Sequence, residues 1–183
     1  MKIPKRVIKI IVFIALFLIS SYLIFRELPV EKILDSVGVY KVILIPVISV
    51  FGSNLATASF LLPFIFFLKQ SGMNLFFLAG LVAIGGVAGD LLFVYFGKKI
   101  NEHTKNKNPK IFAFFKKHRD SPYIKLFILL YAIFFPLSNE VMTLALGYVK
   151  YPIRKMIIPL AVGNFCHYTI LISLGGTLFS AIF

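Results

Sequence analysis

Tryptophan is absent, cysteine occurs once, and acidic side chains number only seven in 183 residues. The single Cys166 excludes an internal disulfide and any zinc site built on paired cysteines. Three histidines, at 103, 118 and 167, are too scattered to form an evident metal-ligand cluster. No glycine-rich phosphate loop appears and no nucleophile has a motif around it, so the sequence gives little support to an enzyme, and none is expected. Charged residues make up 15% of the chain, against about 25% in soluble domains. That scarcity excludes a cytosolic or secreted globular protein. What fills the space is apolar: 59% hydrophobic residues and 21 phenylalanines, with a mean hydropathy of +0.91. The few charges are one-sided, 20 basic residues giving a net +13. On so apolar a chain this balance excludes a nucleic-acid binder and points to loops held on the cytoplasmic side of a membrane.

Residues 10–25, IIVFIALFLISSYLIF, form the first apolar run and follow the basic start MKIPKRVIK. The run is long for a signal peptide, no small-x-small cleavage pattern follows, and Arg26 and Glu27 come directly after it. An uncleaved N-terminal transmembrane helix over 1–28 is expected, with Lys2, Lys5, Arg6 and Lys9 keeping the N-terminus cytoplasmic. Residues 29–37, PVEKILDSV, read as a short interfacial helix, because Pro29 suits a first turn and Val30, Ile33, Leu34 and Val37 share a face.

Two later segments are apolar but interrupted. In residues 41–69 an apolar stretch of 28 positions (41–68) is broken at Gly52-Ser53-Asn54. One helical span needs about 20 residues and two need about 40, so this segment fits neither. Residues 74–97, NLFFLAGLVAIGGVAGDLLFVYFG, give a clean glycine-rich span. A polar loop over 98–125 then holds nine Lys/Arg and two acids. Residues 126–149 are again broken, at 136–140, and are closed by Lys150, Arg154 and Lys155, before a last span over 156–183.

Charge decides how the broken segments lie. If each crossed once, the basic loop would face outward, against the positive-inside tendency. If each dips in and returns, sixteen Lys/Arg lie inside and only Arg26, Lys32, Lys41 and Lys69 lie outside. The halves then mirror each other: a hairpin entering from outside precedes an inward span, and a hairpin entering from inside precedes an outward one. Ser53-Asn54 matches Ser138-Asn139, while Gly85 and Gly97 are twelve apart, as are Gly163 and Gly175. The expected fold is an all-α integral membrane protein with an inverted-topology repeat. It is one membrane domain over 1–183: an N-terminal transmembrane helix (1–28), a hairpin plus span (41–97), a basic cytoplasmic loop (98–125) and a second hairpin plus span (126–183), with interfacial amphipathic helices. Among these, residues 108–120, NPKIFAFFKKHRD, read as an amphipathic helix on the anionic cytoplasmic surface. The C-terminus is expected outside, and the membrane to be a prokaryotic plasma membrane.

Hairpin legs of about 12–14 residues reach roughly 18–21 Å, past half of a core about 30 Å thick. Both tips therefore reach the midplane, and non-helical backbone there must lie against protein or a wet cavity. Glycines 80, 85, 86 and 89 allow the helices around the tips to approach closely. Ser53 or Asn54, and Ser138 or Asn139, are N-cap candidates whose half-helix N-termini would hold an anion. Asp90 and Glu140 are the only acids inside the apolar segments and are the candidates for proton coupling. Asn164 and His167 are secondary candidates, His167 reading as a packed or hydrogen-bonded residue. Arg154 and Lys155 are placed to anchor the interface or to meet a lipid phosphate from the cytoplasmic leaflet.

The stretches AIGGVAGDLLFVYFGKKI at 83–100 and FFPLSNEVMTLALGYVKYPIRKMIIPLAVGNF at 134–165 resemble the DedA/VTT (SNARE-associated) superfamily, and the resemblance covers about 37–180. The first is similar to the family's glycine-rich span ending in Tyr-x-Gly, the second to its proline-containing hairpin, alanine-glycine turn and basic stretch. The resemblance implies two facing re-entrant hairpins and lipid movement: scrambling, or recycling of polyprenyl-phosphate carriers linked to proton motive force. This chain departs from the pattern in having no acid at the first tip and no arginine in the second hairpin, which marks a divergent member near the small multidrug export proteins.

The function expected is a membrane lipid translocator, flippase or scramblase, moving a polyprenyl-phosphate carrier or a phospholipid with protons. Its partners would be membrane lipids and protons, with no nucleic acid, metal or other cofactor, and a homo-oligomer is compatible with the sequence. Two alternatives stand beside it. One is a proton-coupled exporter of small ions or cationic drugs, in which Glu140 and Asp90 bind the cargo. The other is a non-transporting membrane organiser whose basic loop recruits a partner.

Overall fold

The computed structural model describes residues 38–52, 58–103, 110–118, 121, 123–135 and 139–182. The expected helices at 1–28 and 29–37, and the residues Ser53, Asn54 and Ser138, lie outside the described residues. Among those described, the chain is all-helical and contains no strand. A 3-10 turn, Gly38–Tyr40, leads into α1 (Lys41–Gly52), and α2 (Ala58–Gln70) and α3 (Leu75–His103) follow. After α4 (Lys110–His118) come α5 (Ile124–Phe134), α6 (Asn139–Tyr148) and α7 (Ile153–Ile182).

Among the described residues, only α3, with 29 residues, and α7, with 30, are long and apolar enough to cross a membrane. At 1.5 Å per residue each extends about 45 Å. Both polar ends reach further than sequence alone indicates. Instead of stopping at Gly97, α3 continues through Lys98 to His103, where straight-chain residues favour the helix and Lys99 pairs with Glu102 at 3.7 Å. Likewise α7 begins at Ile153, so Arg154 and Lys155 belong to its first turn.

The two long helices pack against each other in opposite directions. The N-terminal half of α3 (Leu78, Val82) shares a core with the C-terminal half of α7 (Tyr168, Ile172), along with Ile45 of α1 and Leu61 and Ile65 of α2. The C-terminal half of α3 (Val94) shares a second core with the N-terminal half of α7 (Met156, Leu160), along with Ile128 of α5 and Met142 and Leu146 of α6. Phe115 of α4 enters this second core, so the amphipathic helix is anchored to the bundle as well as presenting Lys116 and Lys117 outward.

The same contacts recur on both sides. Helix α1 packs mainly on α3, and α5 on α7; then α6 packs on α3, and α2 on α7. Glycines make these crossings. A Cβ on Gly85 would strike the Pro46 carbonyl and Ser49 of α1, and one on Gly163 would strike Ala132 of α5 and approach the Leu129 carbonyl. A Cβ on Gly97 would strike the backbone of α6 at Leu144, and one on Gly175 would strike the Phe66 ring of α2. Gly80 faces open space, so it plays no part in the close packing expected of it.

Two turns also match. After α2, Gly72 adopts φ 89°, its N–H donates to Lys69 O (3.2 Å), and Met73 N–H donates to Leu68 O (3.3 Å). After α6, Lys150 adopts φ 54°, its N–H donates to Gly147 O (2.9 Å), and Tyr151 N–H donates to Leu146 O (2.9 Å). Both are Schellman-type stops, in which a left-handed residue lets the chain satisfy the last helical carbonyls. Large apolar side chains, including Phe76, Ile84 and Phe96 of α3 and Ile158 and Leu174 of α7, cover the outside of the bundle.

Candidate functional site

Polar groups in an apolar bundle must find partners, because an unpaired one costs its full desolvation. Asp90 of α3 and Asn164 of α7 are each only 2% exposed, and they meet where the two long helices cross. The Asn164 Nδ2 donates to Asp90 Oδ2 at 2.8 Å. On its other side, Asn164 Oδ1 accepts from Nδ2 of Asn139, in the first turn of α6, at 2.9 Å. One amide thus ties α3, α7 and α6 together, with both of its ends in use. Gly86 makes room on the α3 side: a Cβ there would lie 3.4 Å from Asn164 Nδ2 and 3.3 Å from the Tyr168 ring.

The line ends on an acceptor. Asn139 Oδ1 is buried and has no hydrogen-bond partner. Asn139 opens α6 rather than capping it, since its side chain turns to Asn164. The first turn is braced instead by Thr143, whose hydroxyl donates to Asn139 O (2.7 Å) and approaches Glu140 O (3.2 Å). Glu140 is half-buried in that turn, where a carboxylate suits the positive end of the helix. It lies within electrostatic range of Asp90.

Three sequence candidates, Asp90, Asn139 and Glu140, are therefore brought together. Arg154 and Lys155 are not: ten and nine residues before Asn164 on α7, they stand about 15 Å away along the helix. His167 is held structurally, its Nδ1 donating to Ile133 O at 3.0 Å near the end of α5, with its ring edge-on to Tyr168. Asn164 is the residue whose weight the sequence understates. Its signal is the one that singles out the acids, a strongly polar side chain inside an apolar span, but without charge it ranks below them. Nothing in the sequence singles out Thr143, because a buried threonine near a helix start leaves no distinctive pattern.

Chemically, the site offers a carboxylate held by an amide, a second carboxylate nearby, and an unsatisfied carbonyl oxygen. Such a set accepts protons or cationic donors. Amide groups do not relay protons as water does, so the Asn139–Asn164–Asp90 line is a tether between helices rather than a proton wire. Among the described residues no group of three or more His, Cys, Asp or Glu gathers to hold a metal ion. No protein-family model, curated protein or solved structure matches this chain.

Proposed function

We propose that this chain is a membrane-embedded translocator of the DedA/VTT kind, moving a phosphate-bearing lipid across the bilayer with proton coupling. The observation that carries the reading is the reciprocal packing of the two halves around the buried Asp90–Asn164–Asn139 line. Helices α1, α2, α5 and α6, with 12, 13, 11 and 10 residues, extend about 15–20 Å. That is half of a hydrocarbon core, as two re-entrant hairpins require. The glycines of each long helix receive the first leg of their own hairpin and the second leg of the other, which supports an inverted repeat. The apolar exterior supports a lipid-facing surface. The resemblance of 83–100 and 134–165 to the DedA/VTT superfamily supplies the cargo class. Asp90 and Glu140 are the proton-exchanging groups on this reading, and the tether lets α6 move when the carboxylates change their charge.

One observation favours a second reading. The unpartnered Asn139 Oδ1, beside two carboxylates, suits a cationic cargo that donates hydrogen bonds, as in a small-drug exporter.

Translocation of a fluorescent phospholipid and of a polyprenyl phosphate in proteoliposomes, with and without a pH gradient, tests the proposal. Gradient-stimulated movement of the phosphate lipid that disappears in Asp90→Asn is the expected result. No movement of either lipid, together with gradient-driven uptake of a guanidinium or primary-ammonium dye, would transfer the assignment to the exporter.

A further inference from the structure

Where α3, α6 and α7 meet at one end of the bundle, a pocket of about 410 Å3 opens among Lys98 and Glu102 of α3, Lys150 and Pro152 of the α6–α7 turn, and Arg154 of α7. Three cations and one carboxylate line it, and that carboxylate also faces Lys99 at 3.7 Å. The volume falls in the range of small-molecule sites, roughly 300–1,000 Å3. Nothing in the Asp90 line reaches this place, so the pocket is separate from the site described above.

The two matching turns give an internal comparison. At the left-handed stop after α2 the chain places Gly72, the residue for which that backbone costs least. At the same stop after α6 it places Lys150, the one non-glycine with positive φ among the described residues. The second half thus accepts backbone strain and gains a cation in the pocket, the pattern expected where strain serves a function. Two residues further on the halves differ again. Asn74 caps α3, its Oδ1 accepting from Phe76 and Phe77 N–H at 3.0 and 3.2 Å. The matching position before α7 is Pro152, which has no side-chain acceptor. Lys155 N–H donates to Pro152 O at 3.0 Å, and the N–H groups of Ile153 and Arg154, with no side chain to cap them at Pro152, keep their donor capacity beside Lys98 and Lys150.

We infer that this pocket is a phosphoryl-anion site, taking a phosphate monoester or diphosphate group. Arg154 supplies a guanidinium fork matched to two phosphate oxygens, and Lys98 and Lys150 supply point charges. The same chemistry arrives on a lipid headgroup or on a free phosphate compound. The lipid source rests on the proposed function, which turns this end toward the cytoplasmic leaflet; the site itself does not.

The test uses the full chain in detergent, titrated calorimetrically with inorganic phosphate and pyrophosphate, and in phosphatidylcholine nanodiscs with and without phosphatidic acid, where the lipid competes with labelled pyrophosphate. Lys150→Gly is the informative variant, because it restores the residue the turn prefers. It is expected to raise the thermal midpoint while weakening pyrophosphate binding about tenfold, the loss of one charge-assisted contact. Glu102→Gln is expected to tighten binding, and Lys69→Ala, at the last turn of α2 and outside the pocket, to leave it unchanged. Competition by phosphatidic acid identifies a headgroup site, and binding of pyrophosphate without such competition identifies a site for a free phosphate compound. Absence of binding by every probe, or full affinity in Lys150→Gly, overturns the inference. The detergent titrations need neither a gradient nor translocation, so their failure and the failure of the lipid-transport assay are read separately.

Discussion

Gly97 and Gly147 face each other across the α3–α6 crossing: a Cβ on the first would strike the Leu144 carbonyl, and one on the second the Val94 carbonyl. Each helix uses its missing side chain to admit the other's backbone. The crossing delivers α6, and with it Asn139 and Glu140, to the buried Asp90.

Gly97→Ala and Gly147→Ala are each expected to force the helices apart and destabilise the fold by about 1–3 kcal/mol. Gly80→Ala, with open space around it, should be neutral or stabilise by up to about 1 kcal/mol through helix propensity. Helical circular dichroism in detergent during thermal melting measures all three. Equal behaviour of Gly80→Ala and Gly97→Ala would refute the packing account.

Gly85→Ala and Gly163→Ala should cost similar amounts, because each glycine receives the first short helix of its own half. The same melts compare them. A large cost at one with none at the other would mean that the two halves share a contact pattern without sharing its energetics.

Removing Asn164 should do more than delete two hydrogen bonds, since both Asp90 and the Asn139 amide lose a partner in a buried place. A double-mutant cycle on Asp90→Asn and Asn164→Ala is expected to show coupling of about 1–3 kcal/mol. Strict additivity would mean that the amide bridge carries no energy of its own.

Phe115 pins α4 to the bundle through an edge contact with Phe127, ring centroids 5.9 Å apart. Phe115→Ala is expected to loosen α4 locally by about 2–3 kcal/mol and to speed tryptic cleavage at Lys116 and Lys117 without a comparable fall in the global melt. A cleavage rate equal to wild type would show that α4 holds without this anchor.

The parts of this architecture legible in the sequence are those written in composition. The apolar stretches over 74–97 and 156–183, which hold the two long helices, and the twelve-residue glycine spacings follow from hydropathy and from the lack of a side chain. The partners of those glycines do not, because the residue opposite Gly97 is set by a crossing angle and not by local sequence. Helix ends were less legible for a related reason: Lys98 and Lys99 read as loop by charge, yet a solvated helical turn suits them equally well. Asp90 and Glu140 stand out because charge in an apolar run is costly, whereas Asn164, which joins Asp90 to α6, carries no charge to announce it. The left-handed residue at Lys150 had no sequence signal at all, since lysine is ordinary at a helix end and only its backbone angle sets it apart.

The two stops at Gly72 and Lys150 share a backbone and differ in charge, and this makes the molecule's ends unequal. A scaffold with matched halves and identical mouths would hold a ligand at either mouth with the same occupancy. On the translocator reading proposed above, the anion site inferred at Lys150 would bias resting occupancy to one mouth before any gradient is applied. Detailed balance forbids that bias from driving net flow by itself. It would set the starting point of such a cycle instead, so that an imposed gradient would act on a molecule already loaded at one end.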